Sequence, residues 1–278
     1  MTRSQADAAA KRHAFRKLHD SGCFVIPNPW DAGSARYLQS LGVKALATTS
    51  AGLAWSLGQP DGELPIHRVL AHMREIVAAT DLPVNADFES GFADDPQGVV
   101  ESVLLAIETG VAGLSIEDST GDPARPLREV NDAAARIRAA RAAIDLSGTD
   151  TFLVGRAENF FVGKPDLEDT ILRLKAYAQA GADCLYAPGI QTREQIAAVV
   201  SAVSPKPVNL LVGAATELTL HDIAALGVRR VSVGGGLARA AWGGFMRASR
   251  LLVEQGSFAG FADAASGREL NALFRHPD

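Results

Sequence analysis

Acidic side chains gather where short apolar runs of this chain end. The run from Pro83 closes on Asn85-Ala86-Asp87-Phe88-Glu89, the run from Gly113 on Glu117-Asp118, and the run from Phe152 on Arg156-Ala157-Glu158-Asn159, while Asp61 follows the run Val43–Thr49. Brought to one mouth, these acids would repel one another and hold their protons more tightly unless a cation stood among them. The donors on offer, Asp87, Asn85, Glu117, Asp61 and Glu89, are all oxygens, with no His cluster or Cys pair nearby. That set suits Mg2+ or Mn2+ better than Zn2+. Strand alternation predicts Asn85, Asp87 and Glu89 on one side of the chain, with Ala86 and Phe88 on the other. For any one acid alone a helix cap is an equal reading. For Asp87 and Glu117 together the metal is favoured, because neither Phe88 nor Asp118 opens an obvious helix.

Arg156 follows Phe152-Leu153-Val154-Gly155 directly, so its guanidinium should emerge from a buried strand into the acidic mouth. There it can grip a substrate carboxylate through two parallel hydrogen bonds, the alternative being a salt bridge to Glu117 or Glu158. Thr49, Ser50, Ala51 and Gly52 offer hydroxyls and backbone N–H groups to an oxyanion. Asn209, within the apolar Pro207-Val208-Asn209-Leu210-Leu211, needs a partner, from a ligand or from the core.

The elements that must position these groups follow a rhythm. Apolar or β-branched runs at Cys23–Pro27, Val43–Thr49, Pro83–Phe88, Gly113–Glu117, Phe152–Arg156, Cys184–Ala187, Pro207–Val212 and Arg230–Val233 alternate with stretches of helical periodicity. Leu41-Gly42, Thr109-Gly110, Ala180-Gly181 and Leu226-Gly227 place glycine where a helix should stop before the next strand. Eight βα units with right-handed crossovers close naturally into a parallel (β/α)8 TIM barrel, whose reacting groups come from the C-terminal ends of its strands. An open doubly wound sheet is disfavoured because no G-x-G-x-x-G follows the first run. One domain over 1–278 is expected, with a core of about 20–255 and a helical tail at 256–278; 278 residues suit a single barrel. The Ala-rich start, Ala8–Ala10, and the tail after Ser266 are expected to fray or to pack on a neighbouring subunit.

A chain that is 47% hydrophobic and 21% charged can bury a large core and still dissolve. With a net charge of −5, and Arg136, Arg138 and Arg141 read as a solvated helix face, nucleic acid is not an expected partner. Met1 to His19 lacks the apolar centre of a secretory signal, and no later segment resembles a membrane span. Cys23 and Cys184 sit far apart in apolar runs, as free core residues of a cytoplasmic protein would.

Taken together, Asn28-Pro29-Trp30-Asp31, Thr49-Ser50-Ala51-Gly52 with Gly58-Gln59-Pro60-Asp61, Asn85-Ala86-Asp87, Ile116-Glu117-Asp118 and Gly155-Arg156-Ala157 resemble the isocitrate lyase/phosphoenolpyruvate mutase superfamily. The match runs in order from about residue 20 to 245. The resemblance implies a barrel whose eighth helix is exchanged between subunits of a homodimer or homotetramer. It implies Mg2+ held by Asp87 and Glu117, with Asp61 acting through water, and an α-oxo-carboxylate met by the backbone at Ser50–Gly52 and by Arg156. Trp30 and Asn209 complete the expected substrate contacts, and Arg156, Glu117 and Asp61 the expected catalytic set.

Two departures narrow the chemistry. Lyases of the superfamily carry a Lys-Lys-Cys-Gly-His-type loop, whereas this chain has neither Cys nor His between Glu117 and Arg156. Where the mutases carry Lys and Asn after the Glu-Asp pair, this chain reads Ser119-Thr120-Gly121-Asp122-Pro123-Ala124-Arg125-Pro126. Asn85 also replaces the first Asp of a common Asp-Ala-Asp, which removes one anion that Glu89, two residues past Asp87, could replace, so metal affinity is expected to be retained but lowered or re-centred. The favoured expectation is a lyase that decarboxylates or hydrolyses an oxaloacetate-like acid through an enolate. The rivals are P–C bond chemistry on phosphoenolpyruvate or phosphonopyruvate, and oxo-acid binding without catalysis.

Overall fold

The computed structural model describes residues 3–275. Eight parallel strands form the barrel: β1 Phe24–Ile26, β2 Leu46–Ala47, β3 Val84–Asp87, β4 Gly113–Glu117, β5 Phe152–Arg156, β6 Cys184–Tyr186, β7 Val208–Leu211 and β8 Arg230–Ser232. Ladders join β2 to β3 and so on through β8, and β8 pairs with β1. Between β1 and β2 the ring is closed by Ala47 N–H donating to the Pro27 carbonyl (3.0 Å) and Asn28 Nδ2 donating to the Thr48 carbonyl (2.9 Å). All eight runs expected from the pattern are therefore strands. The second is shorter than expected because Gly42, at φ 77°, turns the chain and the ladder begins only at Leu46.

The helices are α1 Arg3–Leu18, α2 Ala32–Ser40, α3 Ser50–Ser56, α4 Ile66–Ala79, α5 Pro96–Glu108, α6 Val130–Ser147, α7 Leu167–Gln179, α8 Arg193–Val203, α9 Leu220–Ala225, α10 Gly236–Gln255 and α11 Gly267–Phe274. Outward residues such as Leu114, Leu153, Leu185 and Val231 pack under them. Inward residues build a second core of Ile26, Ala47, Ala112, Phe152, Val154 and Cys184.

The Ala-rich start, Ala8–Ala10, does not fray but lies within α1. Helix α1 stoppers the lower end of the barrel: Phe15 is fully buried and meets Phe152 edge-on, His19 stacks on Phe152 at 4.0 Å, and buried Arg12 donates to the carbonyls of Val111 (3.1 Å) and Ile107 (3.0 Å). At the other end of the chain, α11 packs on α2 of the same chain, with the Phe274 ring beside Gly33. The last three residues of the expected tail lie outside the described ones.

Arg136 corrects the expectation of a solvated arginine face on α6. It is fully buried and donates to the carbonyls of Ser90 (2.8 Å), Ala93 (2.6 Å) and Asp94 (3.3 Å). The Ala-Arg alternation hides this, because a guanidinium can reach five donors into neighbouring carbonyls and still be desolvated. Its effect is to clamp the segment after β3, where the candidate site begins.

Helix α10 stands apart from the barrel. Of its twenty residues only Ala238 is buried, while Trp242, Phe245, Met246, Leu252 and Val253 are exposed. No helix of the described residues is long and apolar enough to cross a membrane.

His72 on α4 carries a prediction about acid stability. It is buried, its Nε2 has no partner among the described residues, and burial lowers its imidazole to about 4, against an opposing pull from Asp31. The unfolded chain binds that proton near pH 6.5, so between about 6.5 and 4 the unfolded state holds the extra proton and the fold loses stability as pH falls. A His72→Leu variant lacks this penalty. Urea titrations should show its stability relative to wild type rising by about 2 kcal/mol between pH 7 and pH 5. A constant gap would mean the imidazole is not held neutral.

Candidate active site at the strand ends

A cavity of about 340 Å³ opens at the C-terminal ends of the strands. Its wall includes Thr48–Ala51 after β2, Asp61, Asn85 and Asp87 from β3, Arg156 from β5, Tyr186 from β6, Asn209 from β7 and Arg230 and Ser232 from β8. Sequence-distant groups meet there as expected. Arg156 Nη1 lies 3.1 Å from Glu117 Oε2 and 3.3 Å from Asp87 Oδ1, and Arg156 Nε also donates to Glu158. The guanidinium carbon stands 5.2 Å from the centre of the Tyr186 ring, so the plane is held by stacking as well as by charge. Burial acts to lower the pKa of Arg156, but Glu117 and Glu158 outweigh it and hold the guanidinium above its usual range. Arg156 is therefore a fixed cation.

The acids around it are in excess. Burial, then Glu158, Asp87 and Glu89, push the Glu117 carboxyl well above its usual range, although Arg156 opposes them. Glu89 is pushed up to about 8 by burial and by Asp87 and Asp61. Burial also raises Asp61, against a hydrogen bond from Ser50. Asp87 is the best anchored: Ser50 N–H donates to its Oδ2 (3.1 Å) and its own N–H donates to Thr48 Oγ1 (2.8 Å).

The surrounding elements explain these positions. Asp118, one residue past Glu117, faces away from the cavity and is pinned by the Tyr177 hydroxyl (2.5 Å), Arg173 Nη1 (3.1 Å) and the Glu158 N–H (2.8 Å). It thereby fixes both the end of β4 and the Glu158 carboxylate that holds Arg156. Asn28 Oδ1 accepts from the N–H groups of Val233 and Gly234, both at 2.9 Å, which draws the turn after β8 over the cavity. Gly113 is needed because a methyl there would stand 2.9 Å from the Phe152 carbonyl and from Asn85 Oδ1.

Several expected contacts are placed differently. Glu89 does not continue the β3 alternation: the strand ends at Asp87 and Glu89 takes φ 45°, clamped by the loop that Arg136 holds, with its carbonyl accepting from the Glu117 N–H (2.9 Å). Neither Glu89 nor Glu117 is in the cavity wall, and Glu117 reaches the cavity through Arg156. Trp30 is not in the wall either. Asp31 caps α2 through Ser34, Trp30 packs against Gly52, and its ring shares a cleft with Ala241, Trp242 and Phe245. Gly52 likewise lies off the wall, its N–H taken by Thr49 Oγ1 (3.3 Å). Asn209 finds its partners inside the protein, accepting from Arg230 Nε (2.9 Å) and donating to Ser232 Oγ (3.0 Å). Arg230 and Ser232 escaped the sequence reading. Their alternation about outward Val231 was the available signal.

Among the described residues no three His, Cys, Asp or Glu side chains are already drawn together as a metal cage; Asp87 and Glu117 both lean on Arg156. The donor set nevertheless fits a hard divalent cation. It is all oxygen, it carries more negative charge than Arg156 balances, and the buried Asn85 Oδ1 in the cavity wall has no hydrogen-bond partner among the described residues.

Residues 15–253 match the family model for phosphoenolpyruvate phosphomutase. The chain belongs to that family, within the isocitrate lyase/phosphoenolpyruvate mutase superfamily of enzymes. An oxaloacetate decarboxylase of Paraburkholderia xenovorans is 32% identical over 80% of this chain and 74% of its own. The crystal structure of a lyase/mutase candidate from Burkholderia cenocepacia is 48% identical, with a TM-score of 0.95 over 98% of this chain and 99% of its own. A phosphonopyruvate hydrolase crystallised with oxalate and Mg2+ is 28% identical, with a TM-score of 0.83 over 95% and 94% of the two chains.

Proposed function

We propose that this enzyme is a Mg2+-dependent lyase that cleaves the C–C bond next to an α-oxo-carboxylate, by decarboxylation or hydrolysis of an oxaloacetate-like acid. The observation that carries the reading is Arg156, a fixed guanidinium shared by Asp87 and Glu117 and facing the cavity. Asp87 and Asp61, with Glu117 and Asn85 near them, would hold the cation, Mn2+ serving in its place. Bound there, the ion would withdraw charge from the oxo-acid oxygens as the enolate develops, a stabilisation that grows toward the transition state. Arg156 would orient the carboxylate, with Thr49, Ser50 and Ala51 along the same wall.

The loop after β4 carries neither Cys nor His, and it folds on itself through Thr120 N–H to the Pro126 carbonyl (3.0 Å) and a bridge between Ser119 and Leu127. The proton that the enolate carbon must take can come instead from Tyr186. Burial pushes its phenol up to about 12, so it keeps its proton at neutral pH while lining the cavity. Tyr186→Phe should lower kcat by about 10- to 1,000-fold and leave oxalate affinity within a few fold. A parallel loss of oxalate binding would give Tyr186 a structural role.

The closeness of phosphonopyruvate hydrolase supports a second reading, P–C cleavage. Turnover of a panel of oxo acids and phosphonopyruvate with Mg2+ separates them: pyruvate with CO2, or oxalate with acetate, from oxaloacetate supports the lyase. Turnover of phosphonopyruvate alone supports the rival, and turnover of neither removes both. The apolar face of α10 suits exchange between two copies in a homodimer or homotetramer, which light scattering would reveal as a multiple of the 29.2 kDa chain. Free Cys23 and Cys184 accord with a cytoplasmic setting.

A further inference from the structure

Among the described residues Arg230 is a buried cation without an anion. Its side chain is all but sealed from solvent, yet among the described residues no carboxylate lies within salt-bridge distance of it. Its partners are neutral. Nε donates to Asn209 Oδ1 (2.9 Å), and Nη1 lies 3.4 Å from His19 Nε2. His19 Nδ1 faces the Phe15 carbonyl at 2.9 Å and must carry the proton there, which leaves Nε2 as an acceptor. Burial, with help from Arg230, lowers that imidazole to about 3 and keeps it uncharged. The two groups whose negative forms would favour the Arg230 charge are Cys184 and Tyr186, and burial drives both toward their neutral forms.

The other buried arginines differ. Arg12 and Arg136 end on backbone carbonyls, and Arg173 on Asp118 and Asp169. Arg230 alone among these four lines the cavity. An uncompensated buried guanidinium is costly unless something negative reaches it.

Register gives its depth. Arg156 pairs with Tyr186, Tyr186 with Asn209 and Asn209 with Arg230, so three ladder steps separate the two arginines. Arg156 ends its strand and Arg230 begins its own. With strands about 4.8 Å apart and tilted about 36°, the Arg230 Cα lies about 8 Å deeper along the barrel axis. The cavity thus has a guanidinium at its mouth and another at its floor, joined by Tyr186, Asn209 and Ser232.

We infer that Arg230 is a specificity residue that binds a second anionic group, the distal carboxylate of a dicarboxylic oxo acid whose oxo-carboxylate end lies at Arg156. This rests on the oxo-acid reading above. Arg230 selects diacids over monoacids and holds the far end of the substrate on the barrel axis.

Calorimetric titration with Mg2+ present tests this on two pairs of matched length, oxaloacetate with 2-oxobutyrate and 2-oxoglutarate with 2-oxovalerate. The wild type should bind at least one diacid roughly 10- to 100-fold more tightly than its monoacid. Arg230→Gln should abolish that preference and leave monoacid affinity within about threefold, while Arg230→Lys keeps part of it. Equal affinity within both pairs for the wild type would overturn the assignment with the oxo-acid site intact, and needs no variant to fold. A preference that survives in Arg230→Gln, or equal loss of both ligands, would overturn it too. Binding of none of the four acids would remove the oxo-acid reading itself and this inference with it.

Discussion

Arg156→Met is expected to lower kcat/KM for the oxo-acid substrate by about a thousandfold or more, because one side chain serves three ends. Its fork would orient the substrate carboxylate, it balances Asp87 and Glu117, and it is anchored by Glu158 and stacked on Tyr186. Methionine keeps much of the volume and removes all five donors. The buried acids around the vacancy then lose their nearest cation and take up protons, so the metal set weakens along with the carboxylate clamp. Arg156→Lys keeps the charge and loses the planar fork; it should retain part of the activity, roughly 10- to 100-fold below wild type. Steady-state kinetics, with far-ultraviolet dichroism to show that each variant folds, checks both. Activity of Arg156→Met within tenfold of wild type would show that the guanidinium is a structural tie and no more.

Metal removal should have an effect at least as large. Enzyme treated with a chelator and freed of it is expected to lose turnover to background and to regain it with Mg2+ or Mn2+. Binding should also be seen in stability. A ligand of the folded state present at about a hundred times its Kd adds about 2.7 kcal/mol, so thermal unfolding should shift upward with Mg2+. The same addition should do little for Asp87→Asn, which keeps the size of the side chain and removes the best-anchored acid of the set. Full activity after chelation would remove the ion from the mechanism.

Much of this arrangement was legible in the residues. The eight apolar runs are strands because their spacing leaves room for at least one helix between each pair, and the glycines at 42, 110, 181 and 227 all adopt positive φ where the helices stop. The meeting of Asp87, Glu117 and Arg156 was legible because strand ends face one mouth, and tertiary closure alone brings both acids within 3.3 Å of the guanidinium. What was hidden depends on local geometry that periodicity cannot carry. Glu89 leaves the alternation because its backbone turns left-handed under the clamp of Arg136, itself masked by an Ala-Arg pattern that reads as solvated. Trp30 sits in a site motif, yet it lines a separate cleft with Trp242 and Phe245 of α10. Arg230 opens the last apolar run, where alternation about Val231 offers a signal for its inward side, but its place in the cavity wall follows from the staggered register.

This cavity should bind a divalent cation together with an α-oxo-carboxylate. Crystals grown with Mn2+ and oxalate, measured at the manganese absorption edge, test it most directly. One anomalous peak per chain is expected beside Asp87, with oxalate density between that peak and Arg156. Manganese bound elsewhere, or an empty cavity at saturating oxalate, would contradict it.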